Sequence, residues 1–273
     1  METMYHVGFD DTHGAKYVIL PGDPGRVEKI AAYLTNPRFY HQNREYTTWL
    51  GELNGETVMV MSTGMGGPST AIGVEELYQT GVRNFIRVGT CGGMATPVIG
   101  GDVVIATGAI RMEGTTKEYV PLEFPAVANL DVTNALVQGA KNIGARWHAG
   151  IVQCKDSFYG QHNPDRMPVG YELKDKWEAW VKAGCLASEM ESAALYIVAQ
   201  TLGARAGCIC GVVWNQERER QGLSNPHCHD TTLAIRVTVE AIRLLIKEDK
   251  VKLSSEGVFD TQGLPQRSEG TEL

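Results

Sequence analysis

Tyr17-Val-Ile-Leu-Pro-Gly-Asp-Pro-Gly-Arg26 reads as four apolar residues of a short strand, a stop at Pro21-Gly22, and Pro24 where a helix through Val27, Ile30, Ala31 and Leu34 begins. A glycine turn at the carboxyl end of a strand is where open α/β sheets take their ligands. The same order recurs outward from it. Asn54-Gly55 separates two apolar runs at 46–53 and 57–62 and predicts an antiparallel hairpin. Thr63-Gly-Met-Gly-Gly-Pro-Ser-Thr70 then leads into a helical stripe of Ile72, Val74, Leu77 and Tyr78 that ends near Gly81. Phe85-Ile-Arg-Val88 and Val103-Val-Ile-Ala106 are two further buried strands. A helix follows over 130–143, a strand over 147–154, a helix over 190–202, a strand over 206–214 and an amphipathic helix over 231–247. The class is α/β: one domain over 1–248 with a central mixed β-sheet flanked by helices. The stretch 249–273 is polar, rich in Ser, Glu and Gly, and reads as a tail that frays or lies over a neighbour.

Composition narrows the partners. The chain has 273 residues, 43% of them hydrophobic, enough for a substantial core, and α/β folds of this length are often a single domain. A formal net charge of −7 argues against a general nucleic-acid surface, so anion affinity must be local and the partner small. Cys91, Cys154, Cys185, Cys208, Cys210 and Cys228 show neither C-x-x-C spacing nor the density of a disulfide scaffold, which fits reduced thiols in a cytoplasm. Residues 1–11 lack the basic start and apolar run of a secretory signal, and no apolar stretch is long enough to span a membrane.

Three arginines stand in or beside runs of glycine and small polar residues: Arg26, Arg44 in Asn43-Arg-Glu-Tyr46, and Arg87 in Arg87-Val-Gly-Thr-Cys-Gly-Gly93. A planar guanidinium matches phosphate oxygens, and glycine lets backbone N–H groups approach the same anion. Other glycine-rich readings fail on spacing. Gly64-Met-Gly-Gly-Pro-Ser69 puts Ser where a dinucleotide fingerprint needs its third glycine, and neither a Walker-type loop nor a G-x-S-x-G elbow occurs. His227-Cys-His229 and Cys208-Ile-Cys210 lack the paired spacing of a structural zinc site. Glu189-Met-Glu191 opens a helix, where carboxylates are favourable through the backbone dipole alone; two carboxylates flanking a thioether also suit a sugar diol.

With these residues on the page, the chain resembles the nucleoside phosphorylase superfamily. Pro21-Gly-Asp-Pro-Gly-Arg26, Ser62-Thr-Gly-Met-Gly-Gly-Pro-Ser-Thr70, Arg87-Val-Gly-Thr-Cys-Gly92 and Glu189-Met-Glu-Ser-Ala193 carry the resemblance in order and spacing over about residues 4 to 248. Within the superfamily it looks like the uridine phosphorylase branch. The resemblance implies a three-layer α/β/α fold and phosphate as co-substrate, bound by Gly22, Arg26, Arg87 and Thr90, with Arg44 delivered from an adjacent subunit. It implies that Thr90, Met190, Glu191 and Glu189 hold the ribose and that His6 of the neighbour reaches its 5′-hydroxyl. Arg87, Arg26 and Glu191 are the catalytic expectation. The unit would be a homodimer, three of which form a hexamer, with a monovalent cation such as K⁺ near Glu45, Met65 and Ser69 and no other cofactor.

Such a set suits phosphorolysis of a glycosidic bond, because ionised phosphate is already a nucleophile and the protein has only to position it. Ser157-Phe-Tyr-Gly-Gln161 resembles the pyrimidine branch: Phe158 stacks on the base and the Gln161 amide pairs with the uracil edge. The purine branch places a proton-donating acid at a position matching Asn215, and an amide cannot supply that proton. Two arginines of the pyrimidine pattern are missing, Asn163 and Gln216 standing in their places. The uracil carbonyl contact then falls to Arg166, Lys174, His162 or water, with Arg166 the first choice. The expectation is uridine phosphorolysis in pyrimidine salvage; a purine nucleoside phosphorylase, a nucleosidase of the same fold, or a non-catalytic nucleoside-binding protein are the alternatives.

Overall fold

The computed structural model describes residues 3–255. Ten strands are present in these residues: β1 (Tyr17–Leu20), β2 (Thr35–Asn43), β3 (Tyr46–Leu53), β4 (Glu56–Met61), β5 (Asn84–Gly93), β6 (Val103–Met112), β7 (Ala126–Val127), β8 (Trp147–Lys155), β9 (Ala187–Glu189) and β10 (Arg205–Asn215). The helices are α1 (Val27–Ala31), α2 (Gly67–Gln79), α3 (Leu130–Ile143), α4 (Phe158–His162), α5 (Gly170–Lys182), α6 (Ser192–Thr201), α7 (Gln216–Arg220) and α8 (Thr232–Ser255).

All ten strands belong to one mixed sheet. From its edge it runs β2, β3, β4, β1, β5, with β1 parallel to both β4 and β5. Beyond β5 the sheet curls. β5 pairs in parallel with β10, β10 antiparallel with β6, β6 in parallel with β8, β8 in parallel with β9, and β9 returns antiparallel to β5 at Gly92 and Gly93. Five strands therefore close on themselves at one side of an open sheet. The central sheet and flanking helices match the sequence expectation; the closure does not follow from it, since it depends on which non-neighbouring strands pair.

The alternation of β1 sorts the two cores. Val18 and Leu20 join the cluster of Met59, Phe85, Leu77 and Leu195 under α2 and α6. Tyr17 and Ile19 join Ile30, Leu136 and Ile242 under α1, α3 and α8. A strand buried on both faces needs apolar residues at every position, and all four residues of β1 are buried. Local signals set the boundaries. Asn54 and Gly55 have φ of 49° and 78°, the left-handed pair that a two-residue hairpin turn requires. The Asn129 side chain accepts from the Val132 N–H to start α3, and Gly144 in the left-handed conformation ends it.

Several elements differ from the sequence reading. β2 contains Pro37 and is mostly exposed, as an edge strand is; its polar composition hides it. The helix expected through Leu34 ends at Ala31. Glu189 ends a strand, and the helix expected from Met190 starts at Ser192. The helix expected to end at Lys247 runs on to Ser255, so the tail expected from Asp249 begins inside it; residues 256–273 lie outside the described residues. The reason is Asp249. Its carboxylate accepts the Tyr17 hydroxyl at 2.5 Å and Arg205 Nη1 at 3.0 Å, with Arg205 Nη2 as a further donor, and so ties α8 to β1 and β10.

Asp249→Ala is expected to lower stability by about 1–3 kcal/mol, since it strips the Tyr17 hydroxyl and Arg205 of a shared acceptor; urea unfolding checks this. Burial pushes the Asp249 carboxyl up, but hydrogen bonds from Arg205 and Tyr17 and the Arg205 charge outweigh it and hold the group below its ordinary value. A depressed folded-state value means that the stabilisation is complete above the ordinary carboxylate range near pH 4 and is lost as pH falls through the lower value. The gap between wild type and variant should therefore narrow on acidification.

Candidate active site

The carboxyl ends of β1, β4, β5, β8, β9 and β10 meet around a cavity of about 680 Å³. At one end Gly22, Arg26, Gly64, Arg87, Gly89 and Thr90 line it. Gly22 follows β1 and Gly64 follows β4, and a Cβ on Gly22 would lie 3.0 Å from the Gly64 carbonyl oxygen. Only a glycine lets these two turns approach so closely. Arg26 ends the short helical turn Pro24–Arg26, which the Asp23 side chain caps by accepting from the Gly25 N–H at 2.8 Å; the Arg26 guanidinium reaches the cavity with only a 3.8 Å contact to Asp23.

Arg87 is the centre of the site. It is 5% exposed, its Nε donates to Glu189 Oε2 at 3.1 Å, and its Nη2 pairs with Glu191 Oε2. Glu189 also accepts from the backbone N–H of Glu191 at 2.9 Å and of Ser192 at 3.0 Å, while Glu191 Oε1 accepts from the Gly66 N–H at 2.7 Å. Arg87, the two carboxylates and the start of α6 are thus one hydrogen-bonded unit. Burial penalises the Arg87 charge, and Glu191 and then Glu189 more than offset this, so the guanidinium stays ionised. Burial pushes the Glu191 carboxyl up against the pull of Arg87, and the charge of Glu189 adds to the rise.

The other end of the cavity is aromatic and amide-lined. Phe158 and His162 lie on α4, capped by the Ser157 hydroxyl accepting from the Gly160 N–H, with ring centroids 4.2 Å apart; Trp214 stands 6.0 Å from His162 and stacks on His227 at 6.2 Å. Gln161 uses one acceptor and one donor within the chain: its Oε1 accepts from Ser188 Oγ at 2.8 Å and its Nε2 donates to Gln216 Oε1 at 3.0 Å, which leaves a second N–H and a second lone pair. Ser188 Oγ in turn accepts from Lys155 Nζ at 2.7 Å.

The structure therefore brings together Gly22, Arg26, Arg87, Thr90, Glu189, Met190, Glu191, Phe158 and Gln161. It does not bring in Arg44 or His6. Arg44 sits exposed, at φ 51°, at the tip of the β2–β3 turn, 6.0 Å from the Tyr5 ring, and the His6 ring hydrogen-bonds Glu76 at 2.6 Å. Arg166 is not among the residues that line the cavity. It lies on the exposed turn Pro164–Arg166 with its guanidinium 5.7 Å from the Tyr159 ring, outside the cavity, because that turn carries it to the surface beyond α4. Asn215, set against the purine acid, is fully buried and spent elsewhere: Nδ2 donates to the Ala95 and Val98 carbonyls at 2.8 Å each and Oδ1 accepts from the Arg218 N–H.

Lys155, Ser188, Trp214 and His227 line the cavity without having been singled out as site residues. Lys155 carried a signal, since it is a lysine ending an apolar strand at the carboxyl edge of the sheet. Among the described residues, Glu189, Cys208 and Cys210 offer ligand atoms within 4.8 Å of one another. They suit a cation poorly, because Glu189 is already engaged by Arg87 and two backbone N–H groups. Hydrogen bonding to Cys210 and burial also hold the Cys208 group protonated. Glu45, Met65 and Ser69 cluster beside Gly64: a Cβ there would lie 3.0 Å from Glu45 Cγ and 3.5 Å from Ser69 Oγ, and Ser69 Oγ donates to the Met65 carbonyl at 3.3 Å.

Comparison with known proteins agrees with this geometry. Residues 16–237 match the family described as the Phosphorylase superfamily. The chain is 55% identical over 245 residues to the uridine phosphorylase of Treponema pallidum, covering 90% of this chain and 95% of that one. It is 42% identical over 248 residues to the Escherichia coli uridine phosphorylase, with 89% and 98% covered. The guanosine phosphorylase of Halorubrum lacusprofundi is 37% identical over 242 residues, with 86% and 95% covered.

Gly89→Ala tests the anion end. Its Cβ would stand 2.6 Å from Arg87 Nη2 and 2.8 Å from Cζ, and Arg87 is pinned by two carboxylates, so the guanidinium must leave its place. Thermal protection by inorganic phosphate should weaken by about tenfold or more in apparent affinity, roughly 1.4 kcal/mol.

Proposed function

The chain belongs to the phosphorylase superfamily, and we propose that within it this protein catalyses the reversible phosphorolysis of uridine to uracil and ribose 1-phosphate, with 2′-deoxyuridine as the nearest second substrate. The observation that carries the reading is that one cavity holds the glycine-framed Arg87 and Arg26, two carboxylates and a base-facing amide with both donor and acceptor.

Phosphate dianion lies against Gly22, Arg26, Arg87 and Thr90, and Glu191, Met190 and Glu189 hold the ribose above it. Attack forms the bond from a phosphate oxygen to C1′ as the C1′–N1 bond breaks, and the bonding pair leaves on uracil. The sugar passes through oxocarbenium character, which the adjacent anion stabilises, and the phosphate hydroxyl proton ends on N1 of the base. Phe158 stacks on the uracil ring and Gln161 pairs with its edge. A 6-oxopurine leaving group calls for an acid near N7, and Asn215 is an amide engaged with backbone.

Arg87 faces two carboxylates, so an anion bound beside it needs more positive charge than Arg26 alone supplies. Arg44 from a second copy answers that need, and His6 of the same copy reaches the ribose. The working unit is then a homodimer, assembled as a hexamer, with K⁺ held at the interface by Glu45, Met65 and Ser69. No helix among the described residues is long and apolar enough to cross a membrane. The setting we infer is pyrimidine salvage in the cytoplasm.

Uridine, thymidine and inosine, incubated separately with and without phosphate while free base is monitored, test the assignment: uracil release from uridine that requires phosphate is expected, and phosphate-independent or inosine-only release overturns it. Arg87→Lys, which keeps a positive charge against Glu189 and Glu191, should cut turnover by about 10²-fold or more with the fold retained by circular dichroism, and Gln161→Ala should raise the KM for uridine.

A further inference from the structure

We propose that Glu76 is a positioning residue for the reaction: its carboxylate fixes the His6 imidazole so that Nε2 faces the 5′-hydroxyl of a ribose bound in the neighbouring copy. The proposal rests on the reading of His6 given above. Glu76 lies near the end of α2 and is 9% exposed, and a carboxylate so placed needs donors. One short segment supplies them. His6 Nδ1 stands 2.6 Å from Oε1, and Oε2 accepts from the His6 N–H at 3.0 Å and from the Val7 N–H at 2.7 Å. A brace for the chain needs only the two backbone bonds; the bond to the ring is the one that reaches toward a substrate.

The surrounding contacts hold the segment still. The Met4 N–H donates to the Phe9 carbonyl and the Gly8 N–H to the Met4 carbonyl, each at 3.1 Å, which closes a small loop with Gly8 at φ 82°. Val7 and Phe9 are buried in the core that also holds Val74 and Leu77 of α2. Asn43 Nδ2 donates to the His6 carbonyl at 2.9 Å, and the Tyr5 ring lies edge-on to the His6 ring at 4.8 Å while the Arg44 guanidinium stands 6.0 Å from Tyr5. His6 and Arg44, the two side chains a second copy would receive, therefore share one mount. A carboxylate has no proton to give, so Nδ1 carries the hydrogen and the neutral ring presents a lone pair at Nε2. Among the described residues nothing bonds to Nε2, and a hydroxyl is able to donate to it.

The test measures kcat/KM for uridine and 5′-deoxyuridine at saturating phosphate in wild type, Glu76→Gln, His6→Ala and the double variant. An amide offers one acceptor where the carboxylate offers two, so one of the three N–H groups must face the amide N–H. The backbone is pinned, and the ring is the group that swings away. The preference for uridine over 5′-deoxyuridine should fall by about tenfold in Glu76→Gln, the worth of one hydrogen bond, while turnover of 5′-deoxyuridine is unchanged. The double variant should discriminate no less than His6→Ala alone, because both changes remove the same contact. Should Glu76→Gln fail to fold, the nitrogen-15 spectrum of histidine-labelled wild type decides at a pH where the ring is neutral: the signal missing from His6→Ala should show hydrogen on Nδ1, and hydrogen on Nε2 overturns the proposal. Equal losses with both substrates, or a preference that survives Glu76→Gln but not His6→Ala, overturn it and leave the uridine reading in place. A preference that survives His6→Ala removes His6 from the ribose and the proposal with it, and a wild-type chain that leaves uridine intact overturns the activity itself.

Discussion

A guanidinium taken out of water must be given charge partners and hydrogen-bond acceptors, because an isolated buried charge costs more than a fold of this size can absorb. Arg87 meets that demand with Glu189 and Glu191, and the rest of the site is arranged around the solution. Glu189 can face Arg87 only by accepting the first N–H groups of α6, which fixes where that helix starts. Glu191 is drawn to the same cation and to the Gly66 N–H, which draws the turn after β4 onto the strand end of β5. One buried cation thereby holds together the turn after β4, two carboxylates and a helix terminus.

The closure of β5, β10, β6, β8 and β9 explains why an aromatic and amide-lined wall lies near this cluster. Because β8 and β9 run parallel, with Cys154 opposite Glu189, Lys155 and Ser188 end beside each other at the edge where Arg87 also emerges. Gly93 allows the strands to close: a Cβ there would lie 2.6 Å from Asn215 Nδ2, whose bonds to the Ala95 and Val98 carbonyls anchor the loop after β5.

The relatives differ in the base they are named for, uridine in two and guanosine in one. What can vary is the small group at the far end of the cavity, here Lys155, His162, Gln161, Gln216 and Trp214, where one substitution changes charge or hydrogen-bond polarity without disturbing Arg87.

Motifs whose meaning is local were legible in the amino-acid order. Glycine and proline at strand ends, the Asn54-Gly55 turn, the Asn129 and Gly144 caps of α3 and the Glu189-Met190-Glu191 triplet each act through backbone conformation or through neighbours a few residues away. Contacts between distant elements were not legible. That Arg166 is exposed while Lys155 lines the cavity depends on how a turn leaves α4 and how β8 pairs with β9. That Asn215 braces a loop depends on closure of the strands, and that α8 continues to Ser255 depends on Asp249 reaching Tyr17 and Arg205 across the sheet. The sequence by itself determined the α/β order of elements and where its glycine turns, Arg87 and the carboxylate triplet fall along them, because those are written in backbone constraints and short-range spacing. Only the tertiary structure decided which polar groups line the cavity, because that turns on which of several buried or surface positions each side chain occupies once non-adjacent strands have paired.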